Sequence, residues 1–129
     1  MNNRYFSVEE IQKKLEFYCS YQERCHSEVF NKIMKLTSDF KDANSVITKL
    51  IDDGYLNETR FCKEFCIGKF NHKNWGKKRI ISELKKRKIS NKNIEIGLNE
   101  IDDDIYLKKF NDLFEKQLDK HKRKNDVYT

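Results

Sequence analysis

A chain of 129 residues with 37% hydrophobic and 37% charged side chains has room for one domain or a short array of repeats sharing a core. Four Gly and no Pro are far from the turn chemistry that sheets and tight hairpins need, so an all-β sandwich is excluded. The net charge of +6 and a pI near 9.1 favour an anionic partner.

The longest apolar runs, such as Phe65-Cys66-Ile67, are three residues, whereas a membrane span needs about 20. Glu9, Glu10, Lys13, Lys14 and Glu16 stand where a secretory signal would need an apolar stretch. The expectation is therefore a cytoplasmic protein, with no membrane partner, whose Cys19, Cys25, Cys62 and Cys66 are thiols rather than disulfides. The charge is unevenly placed. Residues 69–92 hold ten Lys or Arg against the single acid Glu83, so the rest of the chain is slightly acidic.

In chain order, Ser7 followed by Glu10 has capping-box spacing and starts a first helix, with Val8, Ile11, Leu15 and Tyr18 as its apolar stripe. A second stripe is Val29, Ile33 and Leu36, widened by Phe30 and Met34 and closed by Thr37-Ser38-Asp39. A third, Val46, Ile47, Leu50 and Ile51, follows the cap candidate Asp42 and stops at Gly54, which suits the left-handed position after a helix end. The fourth begins at cap candidate Asn57 and carries Phe61, Phe65 and Phe70, with a loop expected from Asn71 to Gly76. The fifth helix, about Lys77 to Lys88, buries Ile80, Ile81 and Leu84. The sixth, capped by Ser90 or Asn91, carries Ile94, Leu98 and Ile101. The seventh starts at Asp103 or Asp104, presents Tyr106, Leu107, Phe110, Leu113, Phe114 and Leu118, and is expected to dissolve into a polar tail.

Laying the first three helices over the next three pairs Ile11 with Phe61, Leu15 with Phe65, Val29 with Ile80, Ile33 with Leu84, Val46 with Ile94 and Leu50 with Leu98, at a steady offset of 48 to 51. A fixed offset is what a tandem repeat produces when each unit needs a neighbour to finish burying its stripes. The expected fold is all-α: three-helix repeats over 1–55 and 56–102, the first helix of an incomplete third over 103–121, and a polar tail over 122–129. The alternative is a generic helical bundle.

Three strings, YCSYQERCHSEVFNKIMKL at 18–36, LIDDGYLNETRF at 50–61 and WGKKRIISELKKRKI at 75–89, together resemble the RecX family of bacterial recombination regulators. The residues that match its patterns are Gly54, Tyr55, Leu56, Glu58, Arg60 and Phe61 in the second string, and Gly76, Lys77, Lys78, Arg79, Ile80, Glu83 and Leu84 in the third. Arg24, Glu28, Val29 and Lys32 match the first-unit pattern. The resemblance covers about 7 to 118 and implies an array of three-helix repeats, usually three. It also implies binding along the groove of the RecA filament and inhibition of its ATPase, strand-exchange and coprotease activities. The chain departs from the pattern in ending inside the third unit.

The candidate contact residues are Lys77, Lys78, Arg79, Lys85, Lys86 and Arg87 on the fifth helix, with Arg24 and Lys32 as weaker equivalents in the first unit and Arg60 and Trp75 beside them. Three cations in a first turn oppose the helix dipole, a small cost that points to a binding duty, although charge runs are more often solvated faces. Trp75 could meet a partner or a base, or close the junction between the fourth and fifth helices. The expected partners are the RecA filament and single-stranded DNA, within the filament or weakly when free, with the protein a monomer. The rival reading is an autonomous nucleic-acid-binding module with its basic helix in a groove.

Cys62 and Cys66, one turn apart, lack the spacing of a zinc knuckle, and Cys25-His26 and His72 do not supply it, so the cysteines read as small hydrophobes. No Gly-rich phosphate loop, nucleophile elbow or HExxH is present, and Asp102, Asp103 and Asp104 make a good helix start but a poor metal cluster. No enzymatic activity, metal or cofactor is expected.

Overall fold

The computed structural model describes residues 5–128, with side chains from 5 to 122. Among these residues there are seven helices and no strand: α1 (Val8–Tyr21), α2 (His26–Ile33), α3 (Phe40–Asp52), α4 (Glu58–Lys73), α5 (Lys77–Lys86), α6 (Asn91–Leu98) and α7 (Asp103–Tyr128). Most begin on a side chain that accepts from a free first-turn amide. The Ser7 hydroxyl accepts from the Glu10 amide while the Glu10 carboxylate accepts from the Ser7 amide, both at 3.1 Å. Asn57 and Ser90 cap α4 and α6 in the same way, at 2.9 and 3.2 Å.

Several boundaries differ from the sequence reading. The cap of α3 is Asp39, not Asp42: Oδ1 of Asp39 accepts from the Lys41 and Asp42 amides, so the residue expected to close one helix opens the next. The helix α2 ends at Ile33, leaving Leu36 in the following turn. The loop expected from Asn71 shrinks to residues 74–76, because α4 runs on to Lys73 and Asn74 takes the left-handed conformation at φ 57. The expected tail instead continues α7 to Tyr128, since its Lys, Arg, Asp and Asn residues include no Gly or Pro to stop a helix.

Two helices end in the same hydrogen-bonded turn. After α3 the Tyr55 amide donates to the Leu50 carbonyl at 2.9 Å, with Gly54 at φ 80; after α5 the Ile89 amide donates to the Leu84 carbonyl at 3.2 Å, with Lys88 at φ 60. Glycine adopts this conformation freely, whereas lysine carries its Cβ into it at a cost of about 1 kcal/mol. The substitution Lys88→Gly should therefore raise the urea midpoint, by about 0.5–1 kcal/mol of stability; a lowered midpoint would contradict the assigned turn.

The apolar stripes close into two cores. In the first, Ile11, Leu15, Val29, Ile33, Val46 and Leu50 are buried with Ala43 and Leu56; in the second, Phe61, Ile80, Leu84 and Ile94 are buried with Cys62, Cys66, Phe70 and Ile101, and Phe65 and Leu98 are half-buried against them. Positions paired by the offset thus occupy matching places in the two units. The caps match as well, Cys25 preceding α2 and Gly76 preceding α5.

Each unit is joined to the next by one repeated device. The first amide of its middle helix donates to a side chain on the first helix of the following unit: His26 N to Glu58 Oε1 at 3.1 Å, and Lys77 N to the Tyr106 hydroxyl at 3.1 Å. Tyr106 also stacks with Phe70 at 5.7 Å, and Phe110 lies 6.3 Å from the same ring, so α7 sits on the second unit as α4 sits on the first.

All four cysteines are free, buried thiols. Burial pushes Cys62 up to about 12 and Cys19 and Cys66 up to about 11, and raises Cys25. Because the unfolded chain ionises its thiols near the ordinary value of about 8.5, their contribution to stability is complete below that pH and is lost as pH rises from about 9 through 11. In the native protein at about pH 8 they should react with an aromatic disulfide reagent at least about tenfold more slowly than after denaturation. Equal rates would contradict their burial.

Candidate interaction surface

The helix α5 turns Ile80 and Leu84 into the second core and half-buries Lys77, Ile81 and Arg87. At 3.6 residues per turn this leaves Lys78, Arg79, Lys85 and Lys86 on one exposed arc, with Ser82 between them. Of the six cations expected to act together, the structure gathers these four and draws two away. The Lys77 ammonium pairs with Asp103 at 3.0 Å and lies 4.8 Å from the Tyr106 ring, tying α5 to α7. The Arg87 guanidinium bonds Glu83 at 3.2 Å and sits over the Phe65 ring, and its carbonyl accepts from the Ser27 hydroxyl at 3.0 Å, a contact between units. Arg87, then Lys86, hold the Glu83 carboxyl below its usual range, so the one acid of the segment stays ionised beside the arc.

Trp75 closes the α4–α5 junction, edge-on to Phe65 at 6.2 Å, and keeps its other face for cations: Arg79 lies 4.2 Å and Lys69 5.0 Å from the ring. The ring thereby holds Arg79 in place at one end of the arc. Arg60 is a joint residue. Its Nε donates to both oxygens of Glu23, at 2.5 and 2.7 Å, and Nη2 donates to the Gly54 carbonyl at 2.9 Å, so its guanidinium ties the first unit to the second. In the first unit, Arg24 lies 3.7 Å above the Tyr18 ring and donates to the Tyr18 carbonyl at 3.1 Å, with Lys32 5.5 Å from the same ring.

Beneath the arc, α4 and α6 meet at Gly97. A Cβ there would come within 2.8 Å of both the Cys62 carbonyl oxygen and the Cys66 sulfur. Cys62 and Cys66, expected to flank the phenylalanine stripe, are fully buried beneath Gly97, while Phe65 moves outward to meet Trp75. Cys25 joins them in the second core from across the joint, whereas His72 is exposed at the far end of α4. Among the described residues no three His, Cys, Asp or Glu side chains converge as a metal site would require.

The family of the second three-helix domain of RecX matches residues 57–98, the segment from the cap of α4 to the end of α6. The crystal structure of RecX from Lactobacillus salivarius is similar to this chain with a TM-score of 0.82 at 25% identity, over 90% of this chain and 75% of that one. This chain belongs to the RecX family. The crystal structure of a regulatory protein RecX has the same fold at a TM-score of 0.70 and 16% identity, over 77% of this chain and 50% of that one. No curated protein matches the chain. The RecX domain that the family comparison covers contains the whole of α5, so the exposed arc lies on a RecX three-helix unit.

Sequence reasoning missed two functional details of this RecX unit. Lys77 looked like a free first-turn cation because its partner Asp103 lies 26 residues on, in a run read only as a helix start. Gly97 gave no signal in an apolar stripe, although a glycine inside a helix pattern marks close backbone approach.

Proposed function

We propose that this chain is a RecX-type regulator that binds the RecA filament and inhibits its ATPase, strand-exchange and coprotease activities without enzymatic activity of its own. The observation that carries the reading is the RecX second-domain match at residues 57–98, which contains an exposed arc of four cations with no carboxylate on its own face except Glu83 at the edge. Lys78, Arg79, Lys85 and Lys86 would face the filament groove, where DNA phosphate and acidic protein groups are both anionic. Two three-helix units with α7 in the place of a third unit's first helix form a body that, lodged across neighbouring protomers, obstructs the second DNA strand and the subunit motions linked to ATP turnover. The arc also favours a second reading, an autonomous nucleic-acid module, because four cations on one helix face suit phosphate directly.

What separates the two is whether binding needs RecA. In a pull-down at matched salt, RecA filaments should retain the chain under conditions in which bare single-stranded DNA does not. Equal retention on both would favour the autonomous module.

A further inference from the structure

The first unit carries an exposed groove of about 540 Å³ on the face of α1 that turns away from the core. Lys13, Phe17 and Tyr21 follow one another at i, i+4 steps along it, and Phe17 and Tyr21 are 76% and 77% exposed. Tyr18 forms its floor, held by Arg24 on the ring face and Lys32 beside it, and Lys14 stands on the neighbouring row. Four cations therefore surround two open rings. Among the described residues no carboxylate lines the groove.

The repeat itself shows that this face is not required by the fold. At the same offset of 50 the second unit has Ile67, Gly68 and Asn71 in place of Phe17, Tyr18 and Tyr21, and Glu64 in place of Lys14. Buried positions pair like with like between the units, whereas here three rings and a charge are absent from one copy. Large exposed apolar rings are normally avoided on a surface unless something covers them.

We infer that this groove is a binding site for single-stranded nucleic acid, with bases stacked on Phe17 and Tyr21 and backbone phosphates on Lys13, Lys14, Arg24 and Lys32. Rings one helical turn apart, about 5.4 Å, can each receive an unpaired base, and the interleaved cations match the charged backbone between bases. A duplex hides its base faces and would use only the cations. An acidic polypeptide would likewise leave Phe17 and Tyr21 without a planar partner.

The site is distinct from the arc on α5 and is tested without RecA. The probe is a fluorescent oligothymidylate of about 16 nucleotides, bound to the full chain and followed by anisotropy. In a background carrying Lys78→Glu, Arg79→Glu, Lys85→Glu and Lys86→Glu, binding should persist. Adding Phe17→Ala and Tyr21→Ala should then weaken it at least about tenfold while leaving the salt dependence unchanged, because no charge is removed. Adding Lys13→Gln and Lys14→Gln instead should lower the slope of log K against log salt by about 0.7 for each phosphate left without its cation. Circular dichroism should report the same helicity throughout, as all four positions are exposed. Loss of all binding in the α5 background, an unchanged affinity after removal of the two rings, an equal loss for a duplex, or equal competition by polyglutamate would each overturn the assignment.

Discussion

Replacing Gly97 by alanine should lower the melting temperature by about 5 °C or more, and valine should lower it further. Two terms oppose each other. Alanine gains about 0.8–1 kcal/mol over glycine inside a helix, but a methyl group forced into a filled space costs about 1–3 kcal/mol. The geometry decides the sign: the added Cβ would lie 2.8 Å from the Cys62 carbonyl oxygen and 3.0 Å from the Cys62 carbonyl carbon, so α4 backbone must move rather than the end of a flexible side chain. Valine adds bulk and loses the propensity gain, leaving only the cost. Since α4 and α6 form the bed on which Ile80 and Leu84 seat α5, thermal unfolding followed by circular dichroism reads the loss directly. An unchanged or raised melting temperature for Gly97→Ala would show that the helices are farther apart.

Reversing the exposed arc with Lys78→Glu, Arg79→Glu, Lys85→Glu and Lys86→Glu should abolish retention on RecA filaments and leave the fold nearly as stable as before. Lys77 is left out because its pairing with Asp103 fastens α7. Exposed substitutions away from the core change stability by within about 0.5 kcal/mol each. Glutamates in the first turn of α5 gain from the helix dipole about what is forfeited when Arg79 leaves the Trp75 ring and Lys86 leaves Glu83. Binding carries no such compensation, because four attractive charges become four repulsive ones. Where the contact is with phosphate, wild-type binding should weaken steeply with salt, by a log–log slope of about 0.7–0.9 per phosphate engaged; contact with acidic protein groups gives a milder dependence. Full retention of a folded quadruple variant would place the binding face elsewhere.

The two units were legible in the sequence because their stripes are built from spacing alone. Ser7 with Glu10, Asn57, Ser90 and Gly54 act locally, within a few residues, and each stands where its spacing placed it. What was illegible depends on residues distant in sequence. Arg60 and Glu23, 37 residues apart, look like two free charges until the units are joined. Lys77 and Arg87 group with their neighbours in the sequence because a charge run does not show which members point back at Asp103 or Phe65. The cysteines read correctly as small hydrophobes, but only the close approach at Gly97 shows why Cys62 and Cys66 must be small: they lie under a backbone that leaves no room for a larger side chain. Phe17 gave no signal because an apolar residue outside the stripe has no role in a helix read only for its buried face.

The most direct measurement of the central claim is the rate of ATP hydrolysis by RecA filaments on single-stranded DNA as the intact chain is added. The account predicts a saturable fall in that rate with the wild-type chain and none with the folded quadruple variant of α5. An unchanged rate with folded wild-type protein, at concentrations where it is bound to the filament, would contradict it.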